Sequence, residues 1–338
     1  MEDGASRRPT IRDVAAAAGV SKSLVSLLYA GGSVGPERRE RILAAADRLG
    51  FRPNLTARAL SSADGGFTGV LVADLHNSVF AEVVDAARAE LARHGRSALL
   101  TSAMMPDPDG VPHLDERALA VFHDLRPRSI LVVGSIPDLA ALTEIIAGTP
   151  LVVASAVGEH VPVAATVRSD DAAGIRLAVE HLLEQGHRRI AHIGGRGGVV
   201  AERRLETYLA VVAEHGIEPL VAPADFTERA GYTATRELLE ADGRDRPTGI
   251  VAVNDLAAVG ALAAASGAGV AMAVTGYDDS QVARLPQVGL TSVDPRNAEI
   301  GAAAAGCVIE VEGGAAPQQP ETLIAPRLVV RTSTPSPR

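Results

Sequence analysis

Ten of the first 62 residues are basic: Arg7, Arg8, Arg12, Lys22, Arg38, Arg39, Arg41, Arg48, Arg52 and Arg58. Six acidic residues share that stretch, which leaves it at +4; because the whole 338-residue chain carries −9, the remainder holds −13. Cationic side chains gathered at one end of an acidic chain suit the neutralisation of phosphates, a local property that total charge conceals. Other reactive chemistry is sparse. Cys307 is the only cysteine, which excludes an intrachain disulfide and a multi-cysteine metal site, and in its alanine-rich surroundings it is expected to serve as a small hydrophobe. The nine histidines show no metal-ligand spacing, and His187 and His192, flanking a predicted strand, are expected to be structural. No Ser/His/Asp set announces itself. The GGRGG run at 194–198 could cradle a phosphate, but it lacks the third glycine of a dinucleotide fingerprint and the GK[ST] ending of a nucleotide loop. No metal or cofactor is expected.

The basic residues need elements to aim them. Thr10 can cap a helix starting at Ile11, Asp13 falls in its first turn, and Val14, Ala15 and Ala18 form an apolar stripe ending at Gly19. Ser21 offers a second N-cap, followed by Leu24, Val25 and Leu28 at helical spacing. Two short helices joined at a glycine predict a helix-turn-helix. In that arrangement the first turns of the second helix face the major groove, which places Lys22, Ser23 and Ser26 or Leu27 toward DNA bases. A third helix is predicted from Pro36 to Gly50, with Ile42, Leu43, Ala46 and Leu49 pointing inward.

These stretches, TIRDVAAAAGVSKSLVS and PERRERILAAADRLGFRPNLTARAL, resemble the DNA-binding headpiece of the LacI/GalR family, with helix-turn-helix, third helix and Arg-Pro-Asn segment in the family's order. The resemblance implies that the segment after Pro53 and Asn54 forms a hinge helix on DNA. Leu60 matches the leucine that wedges into the minor groove, and Ala57 the small residue where two hinge helices meet; such a wedge unstacks a base step and bends the duplex. Leu27 stands where the family usually has arginine, so the bidentate guanine contact is missing there. Ala30-Gly31 stands where asparagine-glycine is usual.

From Phe67 onward apolar strands alternate with amphipathic helices: TGVLVAD, SALLTS, SILVVG and PLVVAS, then, after Arg168, RIAHIGG, GIVAVND and AVTGYDD. The pattern predicts two doubly wound parallel sheets, an α/β pair of lobes whose cleft lies at the carboxyl ends of the strands. EHLLEQGHRRIAHIGG, AVNDLAAVGAL and TGYDD resemble the periplasmic-binding-protein-like (type I) sensor core of the same family. The resemblance implies that Arg204, Asn254 and Asp278 line one half of the cleft, that Asp74, Asn77 and Phe80 line the other, and that Phe226 forms an aromatic wall. A guanidinium fork, a carboxylate and an aromatic face suit a polar, polyhydroxylated ligand. Each residue also has a plainer reading: Asp278 as a strand-end cap, Asn254 as an N-cap, Arg204 as a solvated helix charge. Ser78 replaces the family's usual proline and Thr207 its glycine, the latter adding bulk near the cleft and pointing to a ligand other than a common hexose.

The expected organisation is a headpiece over 1–51, a hinge helix over 52–63, a two-lobed effector-binding and dimerisation domain over 64–331, and a disordered tail, TSTPSPR, over 332–338. The resemblance implies a ligand-controlled transcription regulator of the repressor kind, not an enzyme, acting as a homodimer on a palindromic operator in double-stranded DNA. A solute-binding protein of a transporter, or an α/β enzyme, would share the core without the headpiece. A composition of 47% hydrophobic and 22% charged residues, no apolar run near the ~18 residues of a membrane span and no apolar core of a secretory signal predict a cytoplasmic protein with no membrane contact. No leucine heptads follow the sensor, so a coiled-coil tetramer has no support in the sequence.

Overall fold

The computed structural model describes residues 9–29, 32–51, 66–75, 77–106, 112–136, 138–146, 148–158, 161–241 and 245–337. The chain divides into two units, Met1–Phe67 with Val121–Arg128, and Thr68–Ala120 with Ser129–Arg338. The hinge expected over 52–63, with Asn54, Ala57 and Leu60, lies outside the described residues.

In the first unit, α1 (Ile11–Ala18), α2 (Lys22–Tyr29) and α3 (Pro36–Leu49) surround a small core of Val14, Ala15, Ala18, Val25, Ile42, Ala45 and Ala46. The Thr10 backbone N–H and hydroxyl both donate to Asp13 Oδ2 at 2.7 Å, a capping arrangement that fixes the start of α1. Gly19 and Gly50 close α1 and α3 in the left-handed conformation, at φ 65° and 62°, as C-terminal glycines do. The inward set of α3 differs from expectation. Leu43 and Leu49 are 45% and 37% exposed, while Ala45 is buried: the stripe that meets α1 follows Ile42, Ala45 and Ala46, at spacings of three and four, and Leu43 falls about 100° round the helix from it.

The second unit holds two six-stranded sheets. The first runs β13-β7-β6-β5-β1-β2, built from β1 (Phe67–Val72), β2 (Ser97–Ser102), β5 (Ile130–Val133), β6 (Leu151–Ala154), β7 (Ala165–Ser169) and β13 (Glu321–Ile324). The second runs β14-β12-β11-β10-β8-β9, from β8 (Ile190–Gly195), β9 (Leu220–Ala224), β10 (Gly249–Ala252), β11 (Ala273–Tyr277), β12 (Thr291–Asp294) and β14 (Arg327–Val329). Central strands pair in parallel, with Val70 opposite Leu131 and Leu131 opposite Val152 in one lobe, and Ile193 opposite Ala252 in the other. Such strands are covered on both faces and read as unbroken apolar runs. In the first lobe, α4 (Ser78–Arg93) and α11 (Asn297–Glu312) bury Val83, Ala87, Leu91, Ile300, Ala304 and Val308 against the sheet. Helices α5 (Glu116–Asp124) and α6 (Leu139–Ile145) complete the alternation through β6. In the second lobe α7 (Asp171–Glu184) and α8 (Val199–Glu214) cover one face, and α9 (Glu228–Leu239) and α10 (Asp255–Gly267) the other.

The chain passes between lobes three times: after Ser169, after Asp294 and after Ile324. Backbone bonding ties the first crossing to the third, Asp170 N–H to Ile324 O at 3.0 Å, and Arg327 Nε of the third donates to Asp294 Oδ2 at 2.9 Å at the second. Sequence patterning foresaw neither α11 returning to the first lobe nor a small antiparallel hairpin, β3 (Met104–Pro106) with β4 (Pro112–Leu114).

The C-terminal segment corrects the expectation of disorder. Ser333 and Thr334 are each 7% exposed. The Ser333 hydroxyl donates to Val274 O at 2.6 Å and accepts from Thr291 N–H at 2.8 Å, Val274 N–H donates to Ser333 O, and the Thr334 hydroxyl lies 2.9 Å from His181 Nε2. His187, buried, bonds Thr248 Oγ1 and Pro335 O at 2.9 Å each. Prolines in TSTPSPR mimic linker composition, but the short hydroxyls fill a polar seam beside β11 that would otherwise be unpaired. Ending the chain at Arg331 should remove at least three of these bonds; at ~1 kcal/mol per bond the loss is about 3 kcal/mol, measured as the shift in urea midpoint. A change under ~1 kcal/mol would show the seam to be energetically idle.

Candidate functional site

Two surfaces hold the residues singled out from the sequence. On the headpiece, Ser21 Oγ accepts Leu24 N–H at 3.2 Å and caps α2, while Lys22, Ser23 and Leu27 stand exposed and Ser26 is half-buried. The apolar side of α2, Leu24, Val25 and Leu28, packs into the headpiece core. Thr10 and Ser21 are thus occupied as caps, and the exposed face of α2 carries one cation, one hydroxyl and one leucine. The helix N-terminus adds backbone N–H groups and dipole, both favourable to phosphate oxygens.

The second surface is a cleft of about 690 Å³ in the sensor unit, lined by residues of both lobes and by the first crossing; pockets for small molecules run from ~300 to 1,000 Å³. All seven residues expected there, Asp74, Asn77, Phe80, Arg204, Phe226, Asn254 and Asp278, line it. Their local roles differ.

Arg204, in α8, is 6% exposed. Its Nε donates to Asp171 Oδ1 at 2.9 Å and its Nη1 to Val253 O at 2.6 Å, and its guanidinium carbon sits 3.6 Å above the centre of the Tyr277 ring. Nη2 has no hydrogen-bond partner among the described residues. The reading as a solvated helix charge is therefore wrong: Arg204 is a buried cation fixed on three sides. Burial opposes its charge, and Asp171, Tyr277 and Asp278 hold the charge on, so that its pKa is raised. Asp171 also accepts Arg168 Nη1 at 3.3 Å, while Arg168 Nε reaches Glu321 at 2.8 Å. Tyr277 in turn meets Ser169 across a 3.0 Å hydroxyl contact. Arg168, Asp171 and Tyr277 were missed as site residues; the polar run RSDD at the end of β7 was their only mark in the sequence.

Asp278 and Asp279 divide two tasks. Both have positive φ, 115° and 43°, a conformation that non-glycine residues keep only when the surroundings over-determine it. Asp279 supplies that determination: its N–H donates to Ser292 Oγ at 3.0 Å and its carboxylate accepts Arg331 Nη2 at 2.6 Å and Arg284 Nε at 3.2 Å. Asp255 adds a second anchor, accepting the N–H and hydroxyl of Ser280 at 2.7 Å each; burial raises its pKa to about 6, against the pull of those bonds. The carboxyl of Asp278 makes no hydrogen bond to the described residues. Burial lifts its pKa well above the ordinary carboxylate value, opposed by Arg204 and assisted by Asp255, Asp171 and Glu82. Asp279, not Asp278, is the structural carboxylate of the pair.

Asn254 fulfils the N-cap reading: its Oδ1 accepts Ala257 N–H at 2.9 Å and its Nδ2 donates to Phe226 O at 3.0 Å, fixing that wall's backbone. Asn77 caps α4 through Val79 N–H at 3.1 Å. Each phenyl wall is seated against a glycine with positive φ. A Cβ on Gly134 (φ 93°) would lie 2.5 Å from the Phe80 ring, and one on Gly197 (φ 105°) 2.9 Å from Phe226, so the GGRGG run seats an aromatic ring here. Thr207 does not line the cleft; its hydroxyl bonds back to Arg203 O at 2.9 Å along α8, so the bulk expected near the ligand lies elsewhere. Ser155, unanticipated, has φ 56° and a buried hydroxyl with no partner, and it lines the cleft. His192 is fully buried at the centre of β8, donates from Nδ1 to Val251 O at 2.9 Å, and is pushed down to about 4 by burial, so it is neutral and structural. Cys307, in α11, is partly buried. Among the described residues no helix is long and apolar enough to cross a membrane.

A headpiece with an exposed capped helix and a two-lobed ligand cleft define a DNA-binding regulator with a small-molecule sensor. Residues 10–54 match the bacterial regulatory proteins of the lacI family, and residues 179–334 the periplasmic binding protein-like domain. The chain is 32% identical over 310 residues to the ribose operon repressor of Halalkalibacterium halodurans, covering 89% of each chain. It is 30% identical to the transcriptional regulator CelR of Thermobifida fusca, over 97% of this chain and 98% of that one. A lac repressor dimer bound to operator and the anti-inducer ONPF has the same fold, with a TM-score of 0.82 at 23% identity over 97% of this chain and 100% of that one. A CelR–cellobiose complex has a TM-score of 0.68 at 28% identity, over 96% and 100%. The chain belongs to the LacI family of transcription regulators; it is a DNA-binding regulator and not an enzyme.

Proposed function

We propose that the chain is a cytoplasmic repressor that binds a palindromic operator as a homodimer and is switched by a sugar or related polyhydroxylated metabolite in the cleft. The observation that carries this reading is the cleft's unspent polarity: Arg204 Nη2 and the Asp278 carboxyl lack protein partners beside the aromatic ring of Phe226. A donor, an acceptor and a ring face are what a sugar's hydroxyls and C–H surface require. Relatives named for ribose and seen with cellobiose support the class. In this reading Lys22 and Ser23 meet base edges with Ser26 and Leu27 beside them, Thr10 and Ser21 hold the helix starts, and Asn54, Ala57 and Leu60 belong to a hinge that orders on DNA. Asp74, Asn77, Phe80 and Asn254 shape the pocket around Arg204, Phe226 and Asp278. Effector binding shifts the population between an operator-binding form and one whose headpieces separate.

The test begins with operator sequences selected from a random duplex library. Replacing Lys22 and Ser23 together by alanine should weaken binding to the selected sequence by roughly 10- to 100-fold, with ~1–3 kcal/mol at stake per lost base contact. Binding to random DNA should weaken less, and thermal stability should not move, because both side chains are exposed. Undiminished discrimination between selected and random DNA would remove α2 as the recognition helix.

A further inference from the structure

The cleft is chemically two-sided. From the second lobe come the free valences of Arg204 and Asp278. From the first come Leu75, Val79, Phe80, Met104, Met105 and Ile300. Several polar groups on that side are already committed: Ser102 Oγ donates to Met104 O at 2.7 Å and accepts Met104 N–H at 3.2 Å, Asn77 Oδ1 caps α4, and Asn297 Nδ2 is turned to Glu82. Leu75 and Met105 are 58% and 43% exposed, so apolar surface beside the cleft stands in water until something covers it. Thioethers suit that task, being flexible and polarizable enough to follow the shape of an apolar group. They sit on the hairpin β3–β4, with Met104 opposite Leu114 and Met105 opposite His113.

The charges in the cleft add a second constraint. Arg204 is neutralised by Asp171 at 2.9 Å, and Arg168 by Asp171 and Glu321 at 3.3 and 2.8 Å. Neither cation is left over for a phosphate or carboxylate, and Asp278 would repel one. An anionic ligand would have to displace a buried carboxylate from its partner, at a cost that ordinary binding contacts do not offset.

Resting on the proposed reading of this cleft as the effector site, we infer that the effector is an uncharged glycoside with an apolar aglycone, its sugar toward Arg204 and Asp278 and its aglycone against Met104 and Met105. A free monosaccharide would satisfy the second-lobe groups and leave the methionine side wet. The apolar part of the ligand then supplies affinity by burial and the sugar supplies orientation.

Calorimetric titration of the full-length protein with methyl and p-nitrophenyl glycosides of glucose, galactose, mannose and xylose, both anomers of each, reads the inference directly. For at least one sugar the aryl glycoside should bind about tenfold or more tighter than its methyl counterpart, the equivalent of ~1.4 kcal/mol. Met105→Ser and Met104→Ser should each bring that ratio toward one, with the thermal midpoint of the ligand-free protein reporting that each variant is folded. Glucose 6-phosphate and glucuronate should not bind. Equal affinity for methyl and aryl glycosides overturns the inference alone and leaves the sugar reading standing, as does an aryl preference that survives both methionine replacements, or tighter binding of either anion. If no glycoside binds at all, the sugar reading falls and takes the inference with it.

Discussion

Arg204→Ala is expected to destabilise the folded sensor by about 3–5 kcal/mol, the range found when one partner of a buried ion pair is removed and the other stays behind uncompensated. Asp171 is 5% exposed, and without Arg204 its carboxylate keeps only the 3.3 Å bond from Arg168. Val253 O and the Tyr277 ring lose a donor and a cation at the same stroke. At roughly 2–4 °C per kcal/mol for a domain of this order, the melting temperature should fall by about ten degrees. Effector affinity should fall too, but that loss must be measured below the new midpoint to separate binding from unfolding. Pairing Arg204→Met with Asp171→Asn removes both charges and should recover much of the stability while effector binding stays lost. Chemical denaturation of the three proteins checks this. A loss below ~1 kcal/mol for Arg204→Ala would mean that the Arg168–Asp171–Arg204 group is solvated like a surface pair.

What could be seen in the sequence and what could not follows from the range of the interactions. Caps and stripes act within a few residues, so α1, α2 and α3 were legible from Thr10, Gly19, Ser21, Pro36 and Gly50, and the parallel strands from their apolar runs. The inward side of α3 was misjudged at Leu43 and Leu49 because a helix with apolar residues at several angles does not declare which neighbour it will meet. The tail was misjudged for a related reason. Ser333 and Thr334 carry no hydrophobic signal, and their partners Val274, Thr291 and His181 lie 40 or more residues away in the chain. In the cleft, resemblance brought together seven residues that do share one pocket, yet it could not say which of them face a ligand. Asn254 spends both ends of its amide on the protein, whereas Asp278 spends nothing. That distinction depends on Asp279, Asp255 and Ser292 holding the Asp278 backbone at φ 115°, a three-dimensional arrangement that TGYDD alone does not encode.

Asp278→Asn is expected to lower effector affinity by roughly 10- to 150-fold, because a hydrogen bond to a charged group contributes ~1.5–3 kcal/mol. Operator binding without effector should be unchanged, since the substitution keeps size and shape and touches no other side chain's hydrogen bond. Its effect on stability has the opposite sign from that of Arg204→Ala. Burial raises the folded-state pKa of Asp278 above its unfolded value, so the folded protein holds a proton that the unfolded chain releases, and stability is lost as pH rises from the unfolded value, ~3.9, through the folded one. Asparagine does not titrate. The variant should therefore match the parent in acid and become relatively more stable as pH rises, reaching a constant advantage above the folded pKa. Ligand binding should show the mirror image in the parent protein. Hydroxyls that donate to Asp278 favour its ionised form, so affinity should increase as pH rises through the raised pKa, and binding in that window should release a proton. Asp255, held at about 6, titrates in both proteins, so the difference between parent and variant isolates Asp278. Titrations in two buffers of unlike ionisation enthalpy, repeated across the pH range, count the proton. Identical pH profiles for parent and Asn variant, with affinity intact, would mean that no ligand hydroxyl meets Asp278, and that its strained backbone serves only to turn the chain toward Asp279.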